Sequence, residues 1–200
     1  MQSTRFHTFL TSNIDINEDV LKQLTAGLKI IKIKKGDFLL RENEVCQHTF
    51  FVEKGLLKQY SVDSKGKEHI LQFAPENWFM TDRESVFFKR PSQYYIQALE
   101  DSEVLMLDEM FFTQLSLSNK SFLEFNTRLL HNHIRHLQKR ITLLQSASAE
   151  ERYLDFIQIY PDILLRVPQT LVASYLGITP EGLSRVRKEL AGKNFKSKTS

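Results

Sequence analysis

The sequence predicts an α+β protein in which strands come first and helices follow. Three observations carry this. Residues 29–107 break into short apolar segments separated by glycine and lysine turns. The stretch after residue 118 sets apolar residues on a 3-4 repeat. Residues 169–188, QTLVASYLGITPEGLSRVRK, read as two short amphipathic helices about Gly177. Many short strands at close spacing imply an antiparallel sandwich or barrel rather than an α/β sheet.

Taken in order, Ile16, Val20, Leu21, Leu24 and Leu28 recur at helical spacing, so a helix is predicted over residues 15–28. The period then changes to two. Strands are predicted from residue 29 to a turn at Lys35-Gly36-Asp37 and onward through Phe38 to Leu40. Further strands are expected over residues 48–53, 56–62, 69–73, 78–80, 94–98 and 103–107. Asp108 can cap a short helix reaching Leu115, and Asn119 or Ser121 can begin a long one. In that helix Leu123, Leu130, Ile134, Leu137, Ile141 and Leu144 form one narrow stripe, with Thr127 at the remaining seam position. Packing on the β domain would account for such a stripe, and so would parallel pairing with a second helix. Ser146-Ala147-Ser148-Ala149 suggests a hinge, residues 150–160 another helix ended by Pro161, and Val167-Pro168 leads into the last motif.

In that motif Val172, Ala173 and Leu176 share one face, onto which Leu183 and Val186 can pack back. Gly177 can take the positive φ of a tight turn, Thr179 can cap the second helix, Pro180 suits its first position and Glu181 its first turn. Ser184, Arg185, Arg187 and Lys188 then project outward. These are the parts of a helix-turn-helix whose second member enters the DNA major groove. An ordinary helical hairpin with a solvated basic face shares the pattern.

With 200 residues, 42% of them apolar, the chain can build one large core or two smaller ones. Its apolar runs are too short for a transmembrane helix, and residues 1–15 lack the apolar core of a signal peptide. A single Cys46 excludes an internal disulfide and fits a reducing cytoplasm. The net charge is only +3, yet from Val167 onward Arg185, Arg187, Lys188, Lys193, Lys196 and Lys198 face only Glu181 and Glu189. Positive potential therefore gathers where phosphate contacts would form.

A β-roll, a long self-associating helix and a helix-turn-helix, in that order, resemble the Crp/Fnr family of bacterial transcription regulators. The resemblance covers nearly the whole chain. Its most specific parts are Arg152-Tyr153-Leu154, Val167-Pro168, and residues 173–181 (ASYLGITPE) with Leu183-Ser184-Arg185; residues 97–104 (QALEDSEV) are similar to the family's last roll strands. The family implies a double-stranded β-helix (jelly-roll, cyclic nucleotide-binding-like) effector domain over residues 1–118. A dimerisation helix over 119–145 and a helix-turn-helix domain over 146–200 follow. It also implies a cytoplasmic, non-enzymatic homodimer on two-fold symmetric double-stranded DNA, with RNA polymerase as a further partner and no membrane. Family members read bases with a glutamate and an arginine four residues later, here Glu181 and Arg185, which suit cytosine and guanine respectively. Compensation of the helix dipole is the plainer role for Glu181. Thr179, Ser184, Arg187 and Lys188 complete the DNA-contacting set, the last three better suited to phosphates. Pro180 replaces a commonly basic position, and residues 191–195 with a short polar tail stand where the family usually adds a β-hairpin wing.

Cyclic nucleotide-binding members carry a Gly-Glu-Leu turn and a later arginine that hold the phosphate and ribose. Aligned through Ala98, this chain has Thr81-Asp82-Arg83 and Ser92 there. Asp82 could keep the ribose contact, and Arg83 or Arg90 could compensate or remain solvated. Tight cyclic AMP binding is therefore not expected. Another effector could occupy a cavity lined by Phe73, Trp78, Phe79, Phe87, Phe88, Tyr94 and Tyr95, or these rings could simply pack the roll. No cofactor is implied with certainty. One cysteine cannot hold an iron–sulfur cluster, and nothing supports haem through His69.

Two other classes compete. A cupin-type metal enzyme would present His-x-His from strands, but His131 and His133 fall on the long helix and diverge by roughly 200° at ~3.6 residues per turn; His133 and His136 lack a nearby acidic ligand. A regulator whose roll only binds protein, without a small ligand, is the other. No nucleophile elbow or phosphate-binding glycine loop occurs.

Overall fold

The computed structural model describes residues 4–197, with side chains described as far as Lys193. Its contacts divide between Asn132 and His133 into two compact units. The first contains every strand: β1 (Lys29–Ile33), β2 (Phe38–Leu40), β3 (Thr49–Lys54), β4 (Leu57–Val62), β5 (Glu68–Ala74), β6 (Phe79–Met80), β7 (Tyr95–Ala98) and β8 (Ser102–Leu107). They form two four-stranded sheets, ordered β1-β8-β3-β6 and β2-β7-β4-β5, with every pairing antiparallel. The expected roll is present, strand for strand.

Side-chain alternation explains why β3 is buried along nearly its whole length. Phe50 and Val52 point between the sheets to meet Leu57, Ile96 and Val104. Phe51 points the other way, into a second core with Leu105 and Leu107 of β8. Helices cover that outer face: α1 (Arg5–Asn13), α2 (Glu18–Thr25), α4 (Glu109–Ser118) and the start of α5 (Lys120–Ser146). Phe6, Leu10, Leu21, Phe111, Leu115, Phe122 and Phe125 supply their share of it. The predicted helix over residues 15–28 is shorter than expected, because Asn17 caps it and its side chain accepts from Asp19 and Val20 N–H. Asp108 and Asn119 cap α4 and α5 as expected, accepting from Phe111 N–H at 2.7 Å and Phe122 N–H at 2.8 Å.

Two helices carry no clear sequence signal. α1 lies in a polar stretch and is anchored by Glu53 of β3, whose carboxylate accepts from Arg5 and Phe6 N–H at 2.7 and 3.0 Å. A buried acid thus satisfies donors that a helix start leaves open. α3 (Arg83–Phe88) is a short helix capped by Asp82.

The second unit holds the end of α5 with α6 (Ala149–Ile159), α7 (Ile163–Arg166), α8 (Gln169–Leu176) and α9 (Pro180–Ser197). Phe156, Tyr160 and Tyr175 pack with ring centroids 5.2–5.7 Å apart. Ile163, Val172, Leu176 and Leu183 are buried in the same unit. The hinge expected over residues 146–149 is a capped helix start. Ser148 and Glu151 form a capping box, and Lys139 of α5 pairs with Asp155 of α6 across it.

Gly55 turns β3 into β4 with φ +96°, and a Cβ there would overlap the Ser102 side chain. Gly55→Ala should therefore destabilise the roll by about 2 kcal/mol or more, from left-handed backbone cost plus overpacking. Urea unfolding of the two proteins checks this.

Candidate nucleic-acid interface

The turn between α8 and α9 is built as its sequence suggests. Gly177 sits at φ +65°, ψ +36°, and the N–H groups of Gly177 and Ile178 return to Ser174 and Ala173 carbonyls at 3.1 and 3.0 Å. Thr179 Oγ1 accepts from the Gly182 N–H at 3.1 Å, so this residue is a helix cap before it is anything else. Leu183 and Val186 are buried. At ~100° per residue, Glu181, Ser184, Arg185 and Lys188 then share the opposite face, and all four are exposed. Arg187 is exposed on a flank. The six residues expected to meet DNA thus divide into one cap, one four-residue face and one flank.

α5 ties itself to this motif through residues that sequence reasoning did not single out. Arg140 lies 3.6 Å from the Tyr175 ring centroid and donates from Nη2 to the Tyr175 carbonyl at 3.0 Å. The bond reaches the last turn of α8, just before Gly177, and its signal would have been the tyrosine-arginine pairing across 35 residues. Beside it, burial and the Arg140 charge lower the pKa of His136, which keeps that ring neutral near pH 7. Residues 191–195 do not begin a wing. α9 continues through them to Ser197, and Lys193 turns back to Glu150 at 2.8 Å. The Lys196 side chain and Lys198, also expected to contact the backbone of DNA, lie outside what is described.

The expected effector region is a laced network. Asp82 is buried; its carboxylate accepts from Ser92 Oγ at 2.6 Å and from the Ser85 N–H at 3.2 Å. Ser85 Oγ donates to the Arg90 carbonyl at 2.6 Å and accepts from the Cys46 N–H at 2.8 Å. A recess of about 260 Å³ lies there, lined by Asp82, Glu84, Arg90, Pro91, Gln93 and Tyr94. Thr81 donates to the His48 carbonyl at 3.2 Å. The aromatic residues do not line one cavity. Phe73 is fully buried, Phe79 packs with Phe6, Phe9 and Phe51, and Tyr95 stacks on Tyr60 at 5.1 Å. Trp78 is partly exposed, while Phe87 and Phe88 are 69% and 61% exposed on α3. The alternating pattern could not reveal that residues 83–88 leave the sheet as a helix and turn these two rings outward.

Residues 30–119 match the family model described as a cyclic nucleotide-binding domain. The transcriptional activator protein Anr of Pseudomonas protegens is 25% identical over 185 residues, spanning 83% of this chain and 73% of that protein. Anr of Pseudomonas aeruginosa is 26% identical over 167 residues, 77% of this chain and 67% of that one. FixK2 from Bradyrhizobium japonicum superposes with a TM-score of 0.71 at 18% identity, covering 84% of this chain and 86% of its own. A CooA variant from Carboxydothermus hydrogenoformans does so at 0.69 and 18%, over 96% and 86%. The chain belongs to the Crp/Fnr family of transcription regulators. Both superpositions agree on the fold, a roll followed by a long helix and a helix-turn-helix.

Within the Crp/Fnr roll, this chain has Ser92 and Asp82, the two residues expected at the phosphate and ribose positions, bonded to each other. Ser92→Ala would leave a buried carboxylate short of a donor and should cost about 1–3 kcal/mol, read by urea unfolding. Gly177→Ala forces a Cβ to φ +65°, 3.3 Å from Leu144 Cδ2, and should cost about 1–2 kcal/mol.

Proposed function

We propose that this Crp/Fnr regulator is a homodimer that binds two-fold symmetric DNA through α9. The observation that carries this reading is the division of that helix. Its apolar residues are spent on the helix-turn-helix core, which leaves an uninterrupted polar face of Glu181, Ser184, Arg185 and Lys188. Arg185 is suited to a guanine and Glu181 to a cytosine, with Thr179, Ser184, Arg187 and Lys188 toward phosphates.

Pairing is supported by the α5 stripe. Leu123, Ile134, Leu137, Ile141 and Leu144 are each 43–55% exposed, whereas Phe122 and Phe125 on another side are buried. The roll thus takes one side of α5, and a 3-4 apolar seam stays open to water, as a helix awaiting its own copy would have it. The three-part division into roll, pairing helix over residues 119–145 and DNA head follows from this reading.

Regulation by cyclic AMP is not part of the proposal. Asp82 and Ser92 satisfy each other, so the carboxylate expected to meet a ribose is already engaged. The cupin-type alternative is disfavoured because His131 and His133 lie on α5 rather than on roll strands. A DNA target and a free, buried Cys46 both suit the cytoplasm, where RNA polymerase would be the further partner. Among the described residues no helix is long and apolar enough to cross a membrane.

Arg185→Ala should weaken the preferred duplex by ~1–3 kcal/mol and leave random duplex nearly unchanged, while Lys188→Ala should weaken both alike. Equal losses for both variants, in gel-shift titrations at fixed salt, would contradict these roles. Replacing Ile134 and Leu137 together by glutamate should yield a folded monomer in sedimentation, since both side chains are about half exposed within one chain.

A further inference from the structure

We propose that a groove of the first unit, between α3, α4 and α5, binds a small amphipathic carboxylate, its anionic end at Arg83 and its apolar body against Phe88 and Phe112. The groove encloses about 770 Å³, within the range of small-ligand sites. It borders the recess at Asp82 and Tyr94, with which it shares Glu84, and every residue that lines it lies between Thr49 and Leu130.

The charges select the ligand. Two acids line the groove, and each has a cation: Glu109 with Lys89 at 3.0 Å, and Glu84 with Arg90 at 3.8 Å. Among the described residues no carboxylate pairs with Arg83, so of the three charged side chains lining the groove its guanidinium alone lacks an ionic partner. Part of the Arg83 side chain meets water, yet desolvation lowers its pKa, which marks a cation short of its usual hydration. Around it are Phe87 and Phe88, and Leu117 is 84% exposed. Exposed apolar surface of that kind beside a single cation suits a ligand with a hydrophobic body and one anionic head. A second copy's α5 suits it less well. That helix carries five lysines and arginines against one acid, Glu124, which already pairs with Lys120 at 3.8 Å.

Leu130 belongs both to this groove and to the α5 stripe. A bound carboxylate would therefore touch the pairing helix directly, and this coupling rests on the homodimer reading above. Ligand binding and pairing are read by different signals, so either can fail without the other.

The test uses the whole chain with 8-anilinonaphthalene-1-sulfonate as fluorescent probe, octanoate and octanol as competitors, and sedimentation velocity for pairing. The expected result is one probe per chain, with octanoate displacing it about tenfold more strongly than octanol, as one charge-assisted contact implies. Arg83→Gln should abolish that preference and Arg83→Lys should retain most of it. Phe88→Ala, at an exposed position, should weaken both competitors alike. Equal competition by octanoate and octanol in the unsubstituted chain, or an unchanged preference in Arg83→Gln, would overturn the proposal. So would loss of probe binding as the chain pairs, which would assign the groove to a second copy.

Discussion

Burying Leu183 and Val186 decides what α9 can present. Each side chain gains about 1.5–3 kcal/mol by leaving water, so together they fix the rotation of the helix about its axis. Once that rotation is set, helical geometry leaves Glu181, Ser184, Arg185 and Lys188 no side but the outer one. Gly177 matters for the same reason: its left-handed backbone is what lets α9 fold back far enough for the burial to occur. Arg140 then holds the end of α8 from α5, by a ring contact and a carbonyl bond at once. The polar face follows from the apolar one.

A comparable economy runs through the roll. Strand β3 faces two cores, so Phe50, Phe51 and Val52 are apolar in succession, and Glu53 after them is engaged by the start of α1. That arrangement leaves α5 held on one side by Phe122 and Phe125 and bare along its stripe. At Asp82 the roll has closed a polar network on itself: the carboxylate accepts from Ser92 Oγ and from the Ser85 N–H, and Ser85 Oγ donates to the Arg90 carbonyl. Residues 30–119 match a cyclic nucleotide-binding domain, and within that roll the Asp82 carboxylate is already engaged by Ser92 and Ser85.

Period-two and period-3.6 patterns made the strands, the capped starts of α4 and α5, and the helix-turn-helix legible, because each rests on local geometry. Gly177, Thr179 and Pro180 are instructive: three residues whose backbone preferences all point to the same turn. What escaped notice depends on partners far away in sequence. α1 looks polar until Glu53 satisfies its first donors and Phe6 meets Phe51, 45 positions on. Phe87 and Phe88 look like core until Asp82 caps a helix that turns them outward. The expected hinge over residues 146–149 leads into a capping box at Ser148 and Glu151, and the Lys139–Asp155 pair that spans it could not be read from either end alone.

The central claim is that α9 reads DNA as one of a pair. Selection of bound sequences from random duplex by the whole chain tests it most directly. The account expects enrichment of an inverted repeat whose half-sites lie about one helical turn apart, ~34–36 Å centre to centre, since paired recognition helices enter successive major grooves. Recovery of no consensus, or of a single asymmetric half-site, would contradict it.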